Sequence, residues 1–133
     1  MGLDALTDDT RNRLKELSRA MVRFHKILLE DAKAEYEEKN GKIENVYIYF
    51  QLVLEDDHFA WLRRISYLIA LIDEAVSVRH PSTETEAQRL LNSAYSLFSF
   101  ADEDEVFNSK LQMALSKNSN AVINHNEILS FFK

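Results

Sequence analysis

Apolar side chains recur over residues 8–39 at Leu14, Leu17, Met21, Phe24 and Leu28, alternately three and four positions apart. At about 100° per residue they form one stripe of an α-helix, and Asn12, Lys15, Arg19, Arg23, Lys26, Glu30, Lys33 and Glu37 share the opposite side. Thr7 or Thr10 can cap the start, because a hydroxyl oxygen accepts from amides that the first turn leaves free. Asn40-Gly41 supplies a left-handed stop. The pattern predicts a long amphipathic helix from Asp8 to about Lys39.

Past Gly41 the pattern breaks into shorter pieces. Asn45 can cap a helix from Val46 to Glu55, although Val46-Tyr47-Ile48-Tyr49-Phe50 has the composition of a strand. A lone strand would have no partner among helices, so a helix is expected. Asp56 and Asp57 interrupt the pattern and can cap the densest apolar segment, which predicts a helix over 58–77 centred on Trp61, Ile65, Leu68 and Ile72. A helix apolar over most of its surface normally holds the centre of a bundle, and Trp61 is expected in the core through its area. Pro81 prevents continuation.

Thr83-Glu84-Thr85-Glu86 has the form of a capping box, opening a helix that buries Ala87, Leu90, Leu91, Ala94, Leu97 and Phe98. The acidic run Asp102-Glu103-Asp104-Glu105 suits the start of a helix to about Ser116, where negative charge meets the positive end of the dipole. Ser119 or Asn120 can cap a last helix reaching Phe131. The expected fold class is all-α: a single-domain bundle of five or six helices over residues 1–133, with the 58–77 helix central and residues 1–7 a loose N-terminal segment.

Composition agrees with that picture. Two glycines and one proline in 133 residues are too few for the turns of a sheet protein, and a hydrophobic share of 46% supplies a core. The absence of cysteine removes disulfides, thiolate metal sites and a cysteine nucleophile. The first nine residues lack the basic-then-apolar order of a signal peptide. The longest apolar run, Leu68 to Ile72, is far short of the roughly 20 residues that span a bilayer. A cytoplasmic protein without membrane contact is expected, and a net charge of −6 weighs against nucleic acid.

Little in the chain points to catalysis. Carboxylate-bridged metal bundles use Glu-x-x-His twice, whereas here Glu55-x-x-His58 occurs once and straddles the Asp56-Asp57 break. No two histidines are four apart, no serine stands in a Gly-x-Ser-x-Gly turn, and two glycines cannot build a phosphate loop. No enzyme activity, metal or cofactor is expected. Lys15, Arg19, Arg23 and Lys26 form a basic stripe best read as a solvated face with internal ion pairs. Arg64 and Asp73 flank the apolar face of the 58–77 segment, where a charge without a partner is costly, so a structural ion pair or cap contact is expected for each.

One set of residues resembles a known family. Phe24-His25-Lys26, Tyr36-Glu37 before Asn40-Gly41-Lys42-Ile43, and Phe59-Ala60-Trp61-Leu62-Arg63 with Ser66 and Ile72-Asp73-Glu74 resemble a family of small uncharacterised bacterial helical proteins, over roughly residues 24–76. The resemblance implies a bacterial, cytoplasmic, all-helical protein and brings no activity. In that pattern a proline often follows the arginine, implying a helix start or kink near Trp61. Arg64 stands in its place here and leaves a straighter helix open.

Two functions from different classes follow as expectations. The first is a non-enzymatic protein acting through contacts with another protein or a second copy of itself, by way of apolar residues off the main stripes: Ile27, Leu71, Ile123 and Phe131. The second is a small-molecule-binding bundle with a pocket between helix one and the central helix, whose polar handles are His25, Lys26, Arg63 and Asp73. Helical phase turns Lys26 to the solvent-facing stripe, and it turns Arg63 away from such a pocket unless the chain kinks near residue 61.

Overall fold

The computed structural model describes residues 3–132. The chain is all-α: α1 (Asp8–Asn40), α2 (Val46–Glu55), a 3-10 segment (Asp57–Leu62), α3 (Arg63–Ala75), α4 (Glu84–Phe98), α5 (Glu105–Lys117) and α6 (Ser119–Ser130). One isolated antiparallel bridge, Ala5 with Thr83, is the β-type pairing among the described residues.

The helix ends follow from local chemistry. Thr7 accepts from the amide of Thr10, and Gly41 ends α1 at a φ of +84°, a region glycine enters without the Cβ clash that penalises other residues. Asn45 caps α2, Thr83 and Glu86 form the reciprocal capping box of α4, and Asp104 caps α5. Asn118, one residue ahead of the expected cap, accepts from the amides of Asn120 and Ala121. α4 closes with Phe100 at a φ of +63°, and the Ala101 amide donates back to the Ser96 carbonyl. A non-glycine residue is disfavoured in that conformation, and the Phe100 ring lies 5.8 Å from His125, a packing contact that offsets part of the cost.

All five residues of the α1 stripe are buried, and α1 packs against the 3-10 segment, α3, α4 and α6. α5 rests on α6 and the 3-10 segment. Of the positions expected to be buried on α4, Leu90 alone is half-exposed. The 58–77 stretch does belong to the core, through Phe59, Leu62, Ile65, Leu68 and Ile72, but it is not one helix and α1 touches more of the bundle. Its first turns are 3-10, with three residues per turn in place of 3.6. Phe59 and Leu62 therefore eclipse one another and face inward, and Trp61 is turned to the rim, half-buried, with its ring 5.9 Å from Phe107.

Residues 4–7, expected to be loose, are strapped to the start of α4. The Glu84 amide donates to the Asp4 carbonyl, and the Glu84 carboxylate accepts from the Thr10 hydroxyl (2.6 Å), the Thr7 amide (3.0 Å) and Gln88 (2.9 Å). These donors, Thr10 first, hold the Glu84 carboxyl down at about 2. Residues 1 and 2 of the expected loose segment lie outside the described residues.

A buried histidine closes the other side of the core. The ring nitrogen Nε2 of His125 donates to the Phe98 carbonyl at 2.7 Å, satisfying an acceptor that the end of α4 leaves free. Phe24 packs 5.9 Å from both Phe98 and His125. Desolvation depresses the His125 pKa despite that hydrogen bond, and burial depresses His25 as well. The unfolded chain takes up these protons below its ordinary value of 6.5 while the folded protein resists them. Stability is accordingly expected to fall as pH drops through that value, until the depressed folded values are reached. Thermal melts over this range should show the decline, flattened in His125→Gln; a wild-type melting temperature that does not fall there would contradict it.

Candidate functional site

α2 is unlike the other helices. Its ten residues, Val46-Tyr47-Ile48-Tyr49-Phe50-Gln51-Leu52-Val53-Leu54-Glu55, are apolar around nearly the whole circumference, and none is buried. A helix with that composition is normally enclosed. Here only one side is covered: Tyr49, Leu52 and Val53 pack on the core, with Tyr49 6.3 Å from Phe59 and the Lys33 ammonium 5.0 Å from the Tyr49 ring. Burial, then the charges of Glu30 and Glu37, push the Tyr49 hydroxyl pKa up.

The opposite side faces solvent. Val46, Tyr47, Phe50 and Leu54 are 65%, 85%, 59% and 69% exposed. At about 100° per residue they span roughly a 100° arc, the width of a core-facing stripe. Large aromatic and aliphatic side chains at these exposures leave on the order of 500 Å² of apolar surface, near the upper end for the largest patch of a typical monomer. The stripe carries no charge, and its acids, Glu44 and Glu55, stand only at the ends.

Backbone chemistry holds α2 in this attitude. Asp56 ends α2 with its amide on the Leu52 carbonyl, while its carboxylate accepts from the His58 amide and caps the 3-10 segment. Arg63 donates from Nε to the Val53 carbonyl (2.9 Å) and from a terminal nitrogen to the Asp56 carbonyl (2.7 Å). His58 Nε2 donates to the Ala32 carbonyl of α1 at 2.7 Å, fixing the 3-10 segment to α1.

The four residues expected to line a ligand pocket are not brought together. His25 is half-buried on α1, and Lys26 points to solvent. Arg63 is committed to the end of α2, and Asp73 is exposed and accepts from Ser18 at 2.6 Å. The cavity that Asp73 borders, with Lys15, Ser18, Arg19, Val22 and Arg23, does not include His25. Tightening of the chain before residue 63 does redirect Arg63, but onto backbone carbonyls. Arg64 does have the expected ionic partners, pairing with Asp102 (2.8 Å) and Asp104 (3.0 Å) above the Phe107 ring.

A groove of about 250 Å³ runs between α1 and α5 with Trp61 and His58 at its base. Its polar walls largely satisfy one another: Lys117 pairs with Glu35 at 3.3 Å, and Asn118 donates to Asp31 at 2.8 Å. Of the apolar residues expected to form a contact patch, Ile27, Leu71 and Phe131 are half-buried and Ile123 is exposed. Four exposed apolar side chains share one face of α2 instead. Its sequence signal was the unbroken apolar run from Val46 to Phe50, which reads equally as a strand.

Among the described residues, no helix is long and apolar enough to cross a membrane, and no group of three or more histidines and acids is arranged to hold a metal ion. Compared with known family models, curated proteins and solved structures, the chain finds no match.

Proposed function

We propose that this is a non-enzymatic helical protein that acts through protein–protein contacts, and that the outward face of α2 is the contact surface. The observation that carries the reading is the exposure of Val46, Tyr47, Phe50 and Leu54 on a helix that bears no charge between its ends. An uncharged apolar stripe of this width gains by losing water, at about 25 cal/mol per Å², and gives little purchase to a nucleic acid or a polar metabolite. The α1–α5 groove is the weaker candidate because Glu35 and Asp31 already have partners within the protein. The resemblance over residues 24–76 is the support for a bacterial, cytoplasmic setting.

The double variant Phe50→Glu/Leu54→Glu tests the reading. Both side chains are exposed, so its melting temperature should stay close to wild type. Wild type should be retained by another copy or by another protein in affinity capture, and the variant should lose that retention. Identical behaviour of the two proteins in every association assay would overturn the proposal.

A further inference from the structure

We infer that the α2 face is occupied by the α2 face of a second copy of this chain, as an antiparallel helix pair with its two-fold axis at Phe50. This rests on the reading of α2 as the contact surface and adds the partner and the register.

Three features of the stripe favour self-pairing. A two-fold interface sets the same patch against itself, so any charge in its middle would meet its own copy. From Asn45 to Leu54 there is none. Three of the stripe's four residues are also symmetric in register, because Val46 and Leu54 are each four residues from Phe50, with Tyr47 on the flank. Antiparallel pairing about Phe50 therefore sets Val46 against Leu54 of the second copy, a smaller side chain against a larger one, with the two Phe50 rings adjacent. Finally, the area is of the right order. About 500 Å² from each copy gives a total near 1,000 Å², at the lower edge of specific interfaces and within the class of weak, reversible ones. The expected dimer is weak and concentration-dependent.

The ends of the stripe add a signature. Glu44 of one copy lies toward Glu55 and Asp56 of the other at both ends of the pair, and these acids outnumber the cations beside them, Lys42 and the Arg63 bound to the Asp56 carbonyl. Like charges at the rim repel, and salt screens them. Added salt should tighten this dimer, whereas an interface built on opposite charges would loosen.

The absence of cysteine makes the register directly measurable. At helix-pair spacing, position 50 of one copy comes within about 6 Å, Cα to Cα, of position 50 in the other, inside the reach of a disulfide. Positions 46 and 46 lie about 12 Å apart along the axis, beyond it. Under mild oxidation Phe50→Cys should form a covalent dimer and Val46→Cys alone should not. A mixture of Val46→Cys and Leu54→Cys chains should cross-link with each other. Sedimentation of the unmodified protein across a concentration series, with and without salt, reads the association without any substitution.

A wild-type protein that stays monomeric at every concentration overturns the inference, as does Val46→Cys cross-linking as readily as Phe50→Cys. If the monomer still retains a different protein, and loses it in Phe50→Glu/Leu54→Glu, the contact surface stands and only self-pairing falls. If neither copies nor other proteins depend on the face, both readings fall together.

Discussion

Phe59→Ala should destabilise the protein by about 3–5 kcal/mol, whereas Trp61→Ala should cost clearly less, although tryptophan is the larger residue. Phe59 is fully buried and meets Tyr36, Tyr49 and His58 with ring centroids 5.8, 6.3 and 5.0 Å away. Its removal leaves a cavity at the junction of α1, α2 and the 3-10 segment, where Tyr36 and His58 are held by α1 and cannot fully collapse into it. Trp61 is half-buried and lines the open groove, so truncation enlarges an existing opening and water can enter. Chemical denaturation of the two variants checks the order. A larger loss for Trp61→Ala would mean that the indole, not Phe59, anchors the segment, as a uniform α-helical phase would have it.

Arg63→Met should detach α2 while leaving the rest of the bundle folded. The substitution keeps much of the side-chain stem but removes the donors to the Val53 and Asp56 carbonyls. Hydrogen bonds to a charged group are worth about 1.5–3 kcal/mol each when broken, and α2 has no buried residue to compensate. Amide exchange over residues 46–56 should accelerate strongly while that of Leu17 to Leu28 in α1 stays slow. Unchanged protection in α2 would show that Tyr49, Leu52 and Val53 suffice to hold it. Because the contact face exists only while α2 is docked, association should weaken in the same variant.

Most element bounds are legible in the chain, and the exception is concentrated at Asp57–Leu62. α1, the α4 capping box, the acid-capped α5 and even the ambiguous α2 lie within a residue or two of their expected bounds, because each has a cap residue and either a clear period or no competing partner. The error over 58–77 has a geometric cause. A phase of 100° per residue does not hold over Asp57–Leu62, where the chain turns about 120° per residue: Phe59 comes into line with Leu62 and is buried, and Trp61 lies beside them at the rim. Helical phase gives only the face that Arg63 occupies, and its partners are carbonyls released where α2 ends and the 3-10 segment begins. Nor does apolar composition alone reveal that one side of α2 lacks a cover, since that depends on where α1 and the 3-10 segment end.

The joint between α5 and α6 decides where the chain can change length. α5 ends at Lys117 and α6 begins at Ser119, and Asn118 between them caps α6 while binding Asp31 on α1. With no loop to absorb it, one residue added after Ser119 would rotate the rest of α6 by about 100° and swing Ala121, His125 and Ile128 out of the core. The stretch from Val76 to Ser82 belongs to no helix, and length changes near its exposed Val78 to His80 would leave the helices in phase. Insertions and deletions should therefore be tolerated near residue 79 and eliminated at 118, a contrast that a scanning library of single-codon insertions would register as folded or unfolded protein.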